Sequence, residues 1–288
     1  MSLPFVSARG NRGGTFAAGP AAPVATSGYA YDLDASYGID TTPFIHWDAS
    51  TLEDETSASD GSTFSTWTAR EGSDYDLAQA DAAEQFTYEA TSSNMNSKPV
   101  AISSDGARHM MTATDFLSAG TVTMPITIIM AYHEETPTAN DARFGGKDTS
   151  GNNVNHFRDK TRSVYGTITE YIYTNAAGGT GGYLTGPATQ TGAHIITWEL
   201  DNTATCHFYY ELARTVCIGT VSSNNPFNYQ FSLGADNTGG NDVVTDTEIA
   251  EVIIYNEILS DTTMSGSNVD GGELFTIISY LKSKYGIS

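Results

Sequence analysis

The sequence contains few basic residues, only two cysteines and no long apolar run. No stretch approaches the ~20 consecutive apolar residues that a membrane-spanning helix needs, so the sequence predicts no transmembrane segment. Lysine and arginine number 13 against 34 acids, which gives a net charge of −21. Such a charge argues against nucleic acid or a membrane as a partner.

Several catalytic and metal-binding motifs are also missing. The six histidines form no His-Glu-x-x-His pair and do not combine with cysteine at the spacing of a zinc site. No G-x-S-x-G motif and no phosphate-binding glycine loop occurs. The first residues lack the basic stretch and apolar core of a secretory signal peptide, which predicts synthesis in a cytosol.

The residues that are abundant are typical of an all-β protein. The chain has 28 glycines and 16 tyrosines, and only 16% of its residues are charged. Short runs with β-propensity, separated by Gly, Asn and Asp turns, predict strands. These runs cover 43–50, 62–70, 98–103, 121–134, 142–159, 163–174, 194–201, 206–212, 229–236 and 247–260. The pattern predicts a two-sheet antiparallel jelly-roll sandwich.

One short amphipathic helix is predicted at the C-terminus. An Asp-x-x-Glu pattern that resembles a capping box begins at Asp270. Apolar residues recur at helical spacing from Leu274 to Tyr285. Lys282 and Lys284 fall in the last turn, where basic side chains favour a helix end.

Residues 1–43 differ from the rest of the chain. They are rich in Gly, Ala and Pro, show no periodicity and contain too few apolar side chains to order themselves. They carry Arg9 and Arg12 before the first acid of the sequence. We expect an extended N-terminal arm, docked into an assembly through Arg9, Arg12 and Phe16 or folded back on its own domain. A single β-sandwich domain is expected over 44–288.

The two cysteines lie in one predicted hairpin. Cys206 and Cys217 are part of "TCHFYYELARTVCIG", whose tip is expected near Glu211–Arg214. They form a disulfide if they lie opposite each other, and otherwise are two buried thiols.

Three stretches carry a family resemblance. They are "HWDASTLEDETSASDGSTFSTWTAREGSDYDLAQA" (46–80), "SKPVAISSDGARHMMTA" (97–113), and "TEIAEVIIYNEILS" (247–260) followed by "IISYLKSKYGI" (277–287). They resemble the opening, a middle strand pair and the closing of the concanavalin A-like lectin/glucanase superfamily, in its laminin-G-like branch. The resemblance implies a sandwich of two curved antiparallel sheets. It also implies that Trp47, Trp67 and Trp198 lie in core strands and are buried.

Some members of that superfamily are glucanases with a strand motif similar to E-[IL]-D-x-x-E. Glu248 and Glu251 lie in the matching strand, but Ala250 stands where the motif has its central Asp. Residues three apart on a strand point to opposite faces unless a bulge intervenes, whereas a retaining glycosidase needs two carboxyl groups ~5 Å apart. We therefore expect a structural strand, and a protein that is not an enzyme.

The resemblance also implies a possible calcium site, since calcium is common in this superfamily. The stretch "DNTGGND" offers oxygen ligands of the kind that calcium prefers. These are Asp236, Asn237, Asn241 and Asp242. The alternative is a polar turn between two strands. No other cofactor is expected.

A carbohydrate site would use exposed aromatic faces on which sugar rings stack. In the predicted strand 163–174, Tyr165, Tyr171 and Tyr173 fall on one face, opposite the apolar residues. These tyrosines are the candidate binding residues, unless another part of the protein covers them.

The arm and the acidic lectin-like body together resemble phage virion proteins that display such domains. We expect a non-enzymatic virion protein on a capsid or tail, made in the host cytoplasm and homo-oligomeric. Its arm would bind other virion proteins, and its body could contact host glycans. The alternative is an exported bacterial carbohydrate-binding module or adhesin, extracellular or at a cell surface. A glycan-degrading enzyme is the least expected class.

Overall fold

The computed structural model describes residues 43–70, 75–103, 110–112, 125–136, 142–147, 157–164, 167–175, 181–200, 206–216, 218–219, 230–234, 246–259, 263–265 and 268–288. Several predictions fall outside the described residues. These concern the arm with Arg9, Arg12 and Phe16, the calcium ligands Asp236, Asn237, Asn241 and Asp242, and also Tyr165 and Cys217.

Strands make up most of the described structure. In chain order they are β1 Ile45–Asp48, β2 Thr66–Trp67, β3 Leu77–Ala78, β4 Thr87–Ser92, β5 Lys98–Ser103, β6 Met110–Thr112, β7 Ile126–Glu134, β8 Ala142–Lys147, β9 Phe157–Val164, β10 Thr167–Asn175, β11 Gly181–Ala188, β12 Gly192–Leu200, β13 Cys206–Tyr210, β14 Ala213–Val216, β15 Ile218–Gly219, β16 Gln230–Leu233, β17 Thr247–Tyr255, β18 Thr263–Ser265 and β19 Asn268–Gly271. Two α-helices accompany them, α1 Leu52–Thr56 and α2 Gly272–Tyr285. Single 3-10 turns occur at Ala49–Thr51 and Ala82–Glu84.

The strands form two antiparallel sheets. The first has the order β18-β19-β14-β13-β12-β7-β17-β5-β4, with β1 also paired to β17. The second has the order β15-β11-β10-β9-β8-β16-β6-β3-β2. The predicted all-β sandwich with a C-terminal helix is confirmed.

Large aromatic side chains fill the space between the sheets. Trp47, Trp67 and Trp198 are fully buried there, as predicted. The Trp47 ring on β1 stacks on the Phe231 ring of β16 in the other sheet, with centroids 5.4 Å apart. Burying an aromatic side chain of this kind contributes roughly 1.5–3 kcal/mol relative to exposure. These contacts hold the two sheets together.

The first sheet is covered on both faces. Ile128 and Met130 of β7 join the cluster between the sheets, whereas Ile129 and Ala131 pack in a second cluster with α2. Side chains alternate along a strand, so burial on both sides requires apolar residues at consecutive positions. This explains the consecutive apolar residues 128–131 in β7 and 252–254 in β17.

Helix α2 confirms the predicted apolar face but not the predicted start. The residues Leu274, Ile277, Ile278, Leu281 and Tyr285 are all buried. Asp270 lies in β19, and the N-cap Gly271 makes no side-chain capping hydrogen bond, so no capping box forms. The helix ends at Gly286, whose φ of 67° is the left-handed conformation that glycine adopts without steric cost.

Two predicted strand segments can be compared with the structure directly. The segment 163–174, predicted as one strand, is divided between two antiparallel strands, because β9 ends at Val164 and β10 begins at Thr167. The predicted cysteine hairpin is confirmed as β13 and β14. Its turn is Glu211–Leu212, with Glu211 at a φ of 46°.

Neither helix in the described part of the chain is long and apolar enough to cross a membrane.

Candidate functional site

A fully buried carboxylate, Glu251, lies between β17 and α2. His46 Nε2 is 2.7 Å from Glu251 Oε1. Lys284 Nζ and the Tyr285 hydroxyl each donate to Glu251 Oε2, both at 2.7 Å. Burial raises the pKa of Glu251, whereas the Lys284 ammonium and the His46 hydrogen bond lower it. The resulting pKa lies below the ordinary value of a glutamate. Glu251 is therefore ionised, and His46 Nε2 is the donor in their hydrogen bond.

A second buried carboxylate, Asp48, shares the same lysine. Lys284 Nζ donates to Asp48 Oδ2 at 2.8 Å, and Arg70 Nη1 donates to the same oxygen at 3.0 Å. The Ser50 amide donates to Asp48 Oδ1 at 2.9 Å. Burial raises the pKa of Asp48, but the Lys284, His46 and Arg70 charges hold it well below its usual range. These side chains form a buried charge cluster of His46, Asp48, Arg70, Glu251, Lys284 and Tyr285. Each charged group in it contacts a group of opposite charge.

Three residues of the cluster, His46, Asp48 and Glu251, are of types that bind metal ions, but the Lys284 ammonium occupies the position between the two carboxylates. One ligand atom from each of His46, Asp48 and Glu251 lies within 4.8 Å of the others. Lys284 Nζ contacts both carboxylates at 2.7–2.8 Å, where a bound cation would have to lie. Burial lowers the pKa of Lys284, but both carboxylates raise it well above its usual value. The lysine supplies the positive charge, so the cluster is a structural one.

Strand β17 contains a β-bulge at Ala250. Glu248 pairs with His133 of β7 and Glu251 pairs with Ala131, with Ala250 as the extra residue. His133 and Ala131 are two apart and share a face, so Glu248 and Glu251 also share that face. The prediction that these two glutamates point to opposite faces is wrong, because the bulge inserts one residue between them.

The shared face does not bring the two glutamates into an open site. Glu251 is covered by α2. Glu248 accepts hydrogen bonds from the Ser92 hydroxyl and from Asn94 Nδ2, the latter at 2.7 Å. Its carboxylate also lies 3.8 Å from His133 Nδ1. Both side chains are thus committed to contacts within the protein.

A polar groove lies beside the cluster, where α1 approaches the edge strand β2. Its volume is about 400 Å³. Seven of its ten lining residues carry a hydroxyl group: Thr56, Ser57, Ser62, Thr63, Ser65, Thr66 and Thr68. The other three are Glu55, Ala58 and the buried Phe64.

Glu55 is the single charged residue among the described residues that line this groove. Its Oε2 lies 3.0 Å from the Thr51 hydroxyl, which also lies 3.0 Å from the Asp48 carbonyl oxygen. Burial is the largest cause acting on the pKa of Glu55 and raises it; the Thr51 hydroxyl and Arg70 lower it, Asp76 and Asp48 raise it, and the net direction is up. The groove and the buried charge cluster are therefore linked through Thr51.

The structure leaves the predicted carbohydrate residues apart from this groove. Tyr171 and Tyr173 lie in β10, where their backbones pair with Lys160 and Arg158 of β9. Strand β10 belongs to the same sheet as β2 but is separated from it by several strands.

The buried charge cluster is not among the features predicted from the sequence. One signal for it was present. Lys284 lies seven residues after Ile277 and three after Leu281, which puts it on the helix face that these buried residues define. A lysine at such a position requires buried anionic partners.

Comparisons with known proteins give structural matches only. No protein-family model and no curated protein matches the chain. The chain is similar to domain 4 of AbnA, a GH43 extracellular arabinanase from Geobacillus stearothermophilus, solved in complex with arabinotriose. That match has a TM-score of 0.51 and 11% identity, and it covers 82% of this chain and 98% of that domain.

Two sialidase structures from Trypanosoma rangeli are also similar. The complex with 2,3-difluorosialic acid has a TM-score of 0.48 at 9% identity and covers 85% of this chain and 33% of that one. The complex with the inhibitor DANA has a TM-score of 0.49 at 8% identity and covers 83% and 33%. This chain thus spans about a third of the sialidase chains. At such identities the likeness concerns the fold.

These matches correct one expectation and leave another unsupported. The expectation that the chain is not an enzyme is withdrawn, because the domain that it resembles belongs to a glycoside hydrolase, the GH43 arabinanase. The same structures give no support to a laminin-G-like or virion assignment. The virion role therefore stays a prediction that depends on the arm.

Proposed function

We propose that this chain is a carbohydrate-binding β-sandwich. The observation that supports it is the match to domain 4 of the arabinanase, which extends over 98% of that domain and 82% of this chain. That domain was solved with an oligosaccharide, arabinotriose. We extend this ligand class to the present chain, and favour a protein that acts on or binds glycans outside the cell or at a cell surface.

The proposal adopts the alternative from the sequence analysis over the virion role. The virion role depended on an arm that lies outside the described residues. The glycan role, by contrast, is supported by the sandwich itself, which accounts for most of the described chain.

The test is a glycan array probed with the full chain, followed by isothermal titration calorimetry of the glycans that bind. We expect saturable binding with a dissociation constant between roughly 1 µM and 1 mM, that is, about −8 to −4 kcal/mol. A folded protein that binds no glycan at millimolar concentration would refute the proposal. Analysis of the same mixtures for newly released reducing ends would detect glycan cleavage.

A further inference from the structure

We infer that the polar groove between α1 and β2 is the saccharide site, and that it selects uncharged saccharides over anionic ones. This inference depends on the proposed function and specifies the site and the ligand class within it. Three features of the groove carry it: its size and position, its hydroxyl groups and the charges around it.

The groove is large enough for a short saccharide and opens at an edge of the sandwich. Its volume of about 400 Å³ lies within the ~300–1,000 Å³ range of small-molecule sites. Strand β2 is the last strand of its sheet among the described residues, and the groove residues just before it join β4 through the Thr63–Thr87 bridge.

The hydroxyl groups of the groove are available to a ligand. Thr56 and Ser62 donate to the carbonyl oxygens of Leu52 and Ser59, respectively. The remaining five hydroxyls make no hydrogen bond within the described part of the chain: Ser57, Thr63, Ser65, Thr66 and Thr68. A hydroxyl both donates and accepts, which matches the hydroxyl groups of a sugar.

Glu55 supplies the strongest acceptor in the groove. Its carboxylate has one contact among the described residues, with the Thr51 hydroxyl. An ionised carboxylate accepts several hydrogen bonds, and those to a charged group are stronger than neutral ones. Glu55 can therefore anchor two neighbouring hydroxyls of one sugar ring while retaining Thr51.

The charges near the groove are acidic. Glu53 and Asp54 are exposed on α1, and Asp60 is exposed in the following turn. Their negative charges affect a common neighbour, Tyr88 on β4. Burial raises the pKa of Tyr88, and these three carboxylates raise it further. The nearby Arg70 donates to the buried Asp48. A saccharide with its own carboxylate would be repelled here, whereas a neutral one would not.

The experiment compares matched sugars and matched variants of the full chain by calorimetry. Lactose and sialyllactose share a disaccharide and differ by one charged residue, and arabinotriose serves as a second neutral ligand. We expect sialyllactose to bind at least about tenfold more weakly than lactose. Equal affinity for the two would overturn the charge selectivity.

The variants test the location of the site. Glu55→Gln removes the charged acceptor and keeps its shape, and should weaken neutral-sugar binding about tenfold or more. Glu135→Gln makes the same change in net charge at an exposed position that does not line the groove, and it should change neutral-sugar binding less than about twofold. Thr66→Val and Thr68→Val keep the side-chain shape but remove a hydroxyl group. Each should also weaken neutral-sugar binding, which tests the location of the site independently of Glu55.

The outcomes separate this inference from the proposed function. If sugars bind but none of the groove variants weakens binding, and Tyr171→Ala with Tyr173→Ala abolishes it, the groove assignment is wrong and the proposed function stands. If the folded wild-type chain binds no sugar, both are wrong. Circular dichroism of each variant verifies that it is folded.

Discussion

The Lys284 ammonium and the Glu251 carboxylate meet at 2.7 Å between the C-terminal helix and the central strand β17. The lysine side chain is 11% exposed and the glutamate side chain 0%. Desolvating two charges costs several kcal/mol per ion, and only good geometry and further hydrogen bonds offset that cost. Here His46, Tyr285 and Asp48 provide those additional contacts. The pair thus fixes how α2 sits on the sheet.

Replacing Lys284 should destabilise the fold strongly. Lys284→Met leaves Asp48 and Glu251 without their shared cation, which should lower the free energy of unfolding by about 3–5 kcal/mol. Lys282, two residues earlier, is half-buried in the same turn, and Lys282→Met should cost less than about 0.5 kcal/mol. Urea unfolding followed by circular dichroism measures both. Equal effects would show that the ion pair is not a structural determinant.

The same cluster should make the protein sensitive to acid. The pKa values of Asp48 and Glu251 lie below their ordinary values of 3.8 and 4.5. The unfolded chain therefore takes up protons at these groups before the folded chain does. Their stabilisation is complete above about pH 4.5 and is lost as the pH falls towards the lowered folded values.

The acid test compares the wild type with Glu251→Gln. The urea midpoint of the wild type should fall more steeply below about pH 5 than that of the variant, which lacks one of the two groups. Parallel slopes would mean that Glu251 titrates in the folded protein as it does in the unfolded chain.

His194 should remain protonated at higher pH than an ordinary histidine. Its Nδ1 lies 2.9 Å from Glu211 Oε1 and its Nε2 lies 3.0 Å from the Thr191 carbonyl oxygen, so both ring nitrogens face acceptors. Burial and Arg143 lower the pKa, but the Glu211 and Thr191 hydrogen bonds raise it to a net value above 6.5. The resulting stabilisation is complete below about pH 6.5 and is lost as the pH rises through the raised folded pKa.

NMR titration of the His194 ring measures this value. Glu211→Gln keeps the shape of the turn and removes the negative charge, so it should move the His194 midpoint down towards 6.5 or below. An unchanged titration midpoint of His194 would mean that Glu211 does not stabilise the protonated ring.

The bulge predicts which residue of β17 can be deleted. Ala250 has no partner in β7, so its deletion leaves every later side chain on its present face. Deletion of Val252 instead reverses each side chain from Ile253 to Tyr255, which moves apolar residues out of their clusters. We expect a cooperative thermal transition for the first deletion and none for the second. Two folded deletion variants would contradict the register described here.

The sequence predicts the sandwich well because its signals are local. Apolar runs bounded by turns gave most of the strands, whereas the burial of the tryptophans was an expectation from the family resemblance. The Ala250 bulge was missed because an extra residue is defined by the partner strand, which the sequence of β17 does not contain. The charge cluster was missed because Lys284 favours a helix end as readily as it binds a buried carboxylate, and only the fold distinguishes the two.

The groove was missed for a related reason. Its serines and threonines occur in a segment whose composition is typical of a turn-rich connection, and no single residue marks it as a site. What makes it a groove is the approach of α1 to the edge strand β2. That approach follows from the burial of Leu52 in the core.

Hydrogen–deuterium exchange of the full chain, with and without saturating arabinotriose, tests the central claim most directly. If the sandwich binds neutral saccharides in the groove, amide exchange should slow over residues 55–68 and remain unchanged over β10. No change anywhere in the protein, or protection confined to β10, would contradict the account.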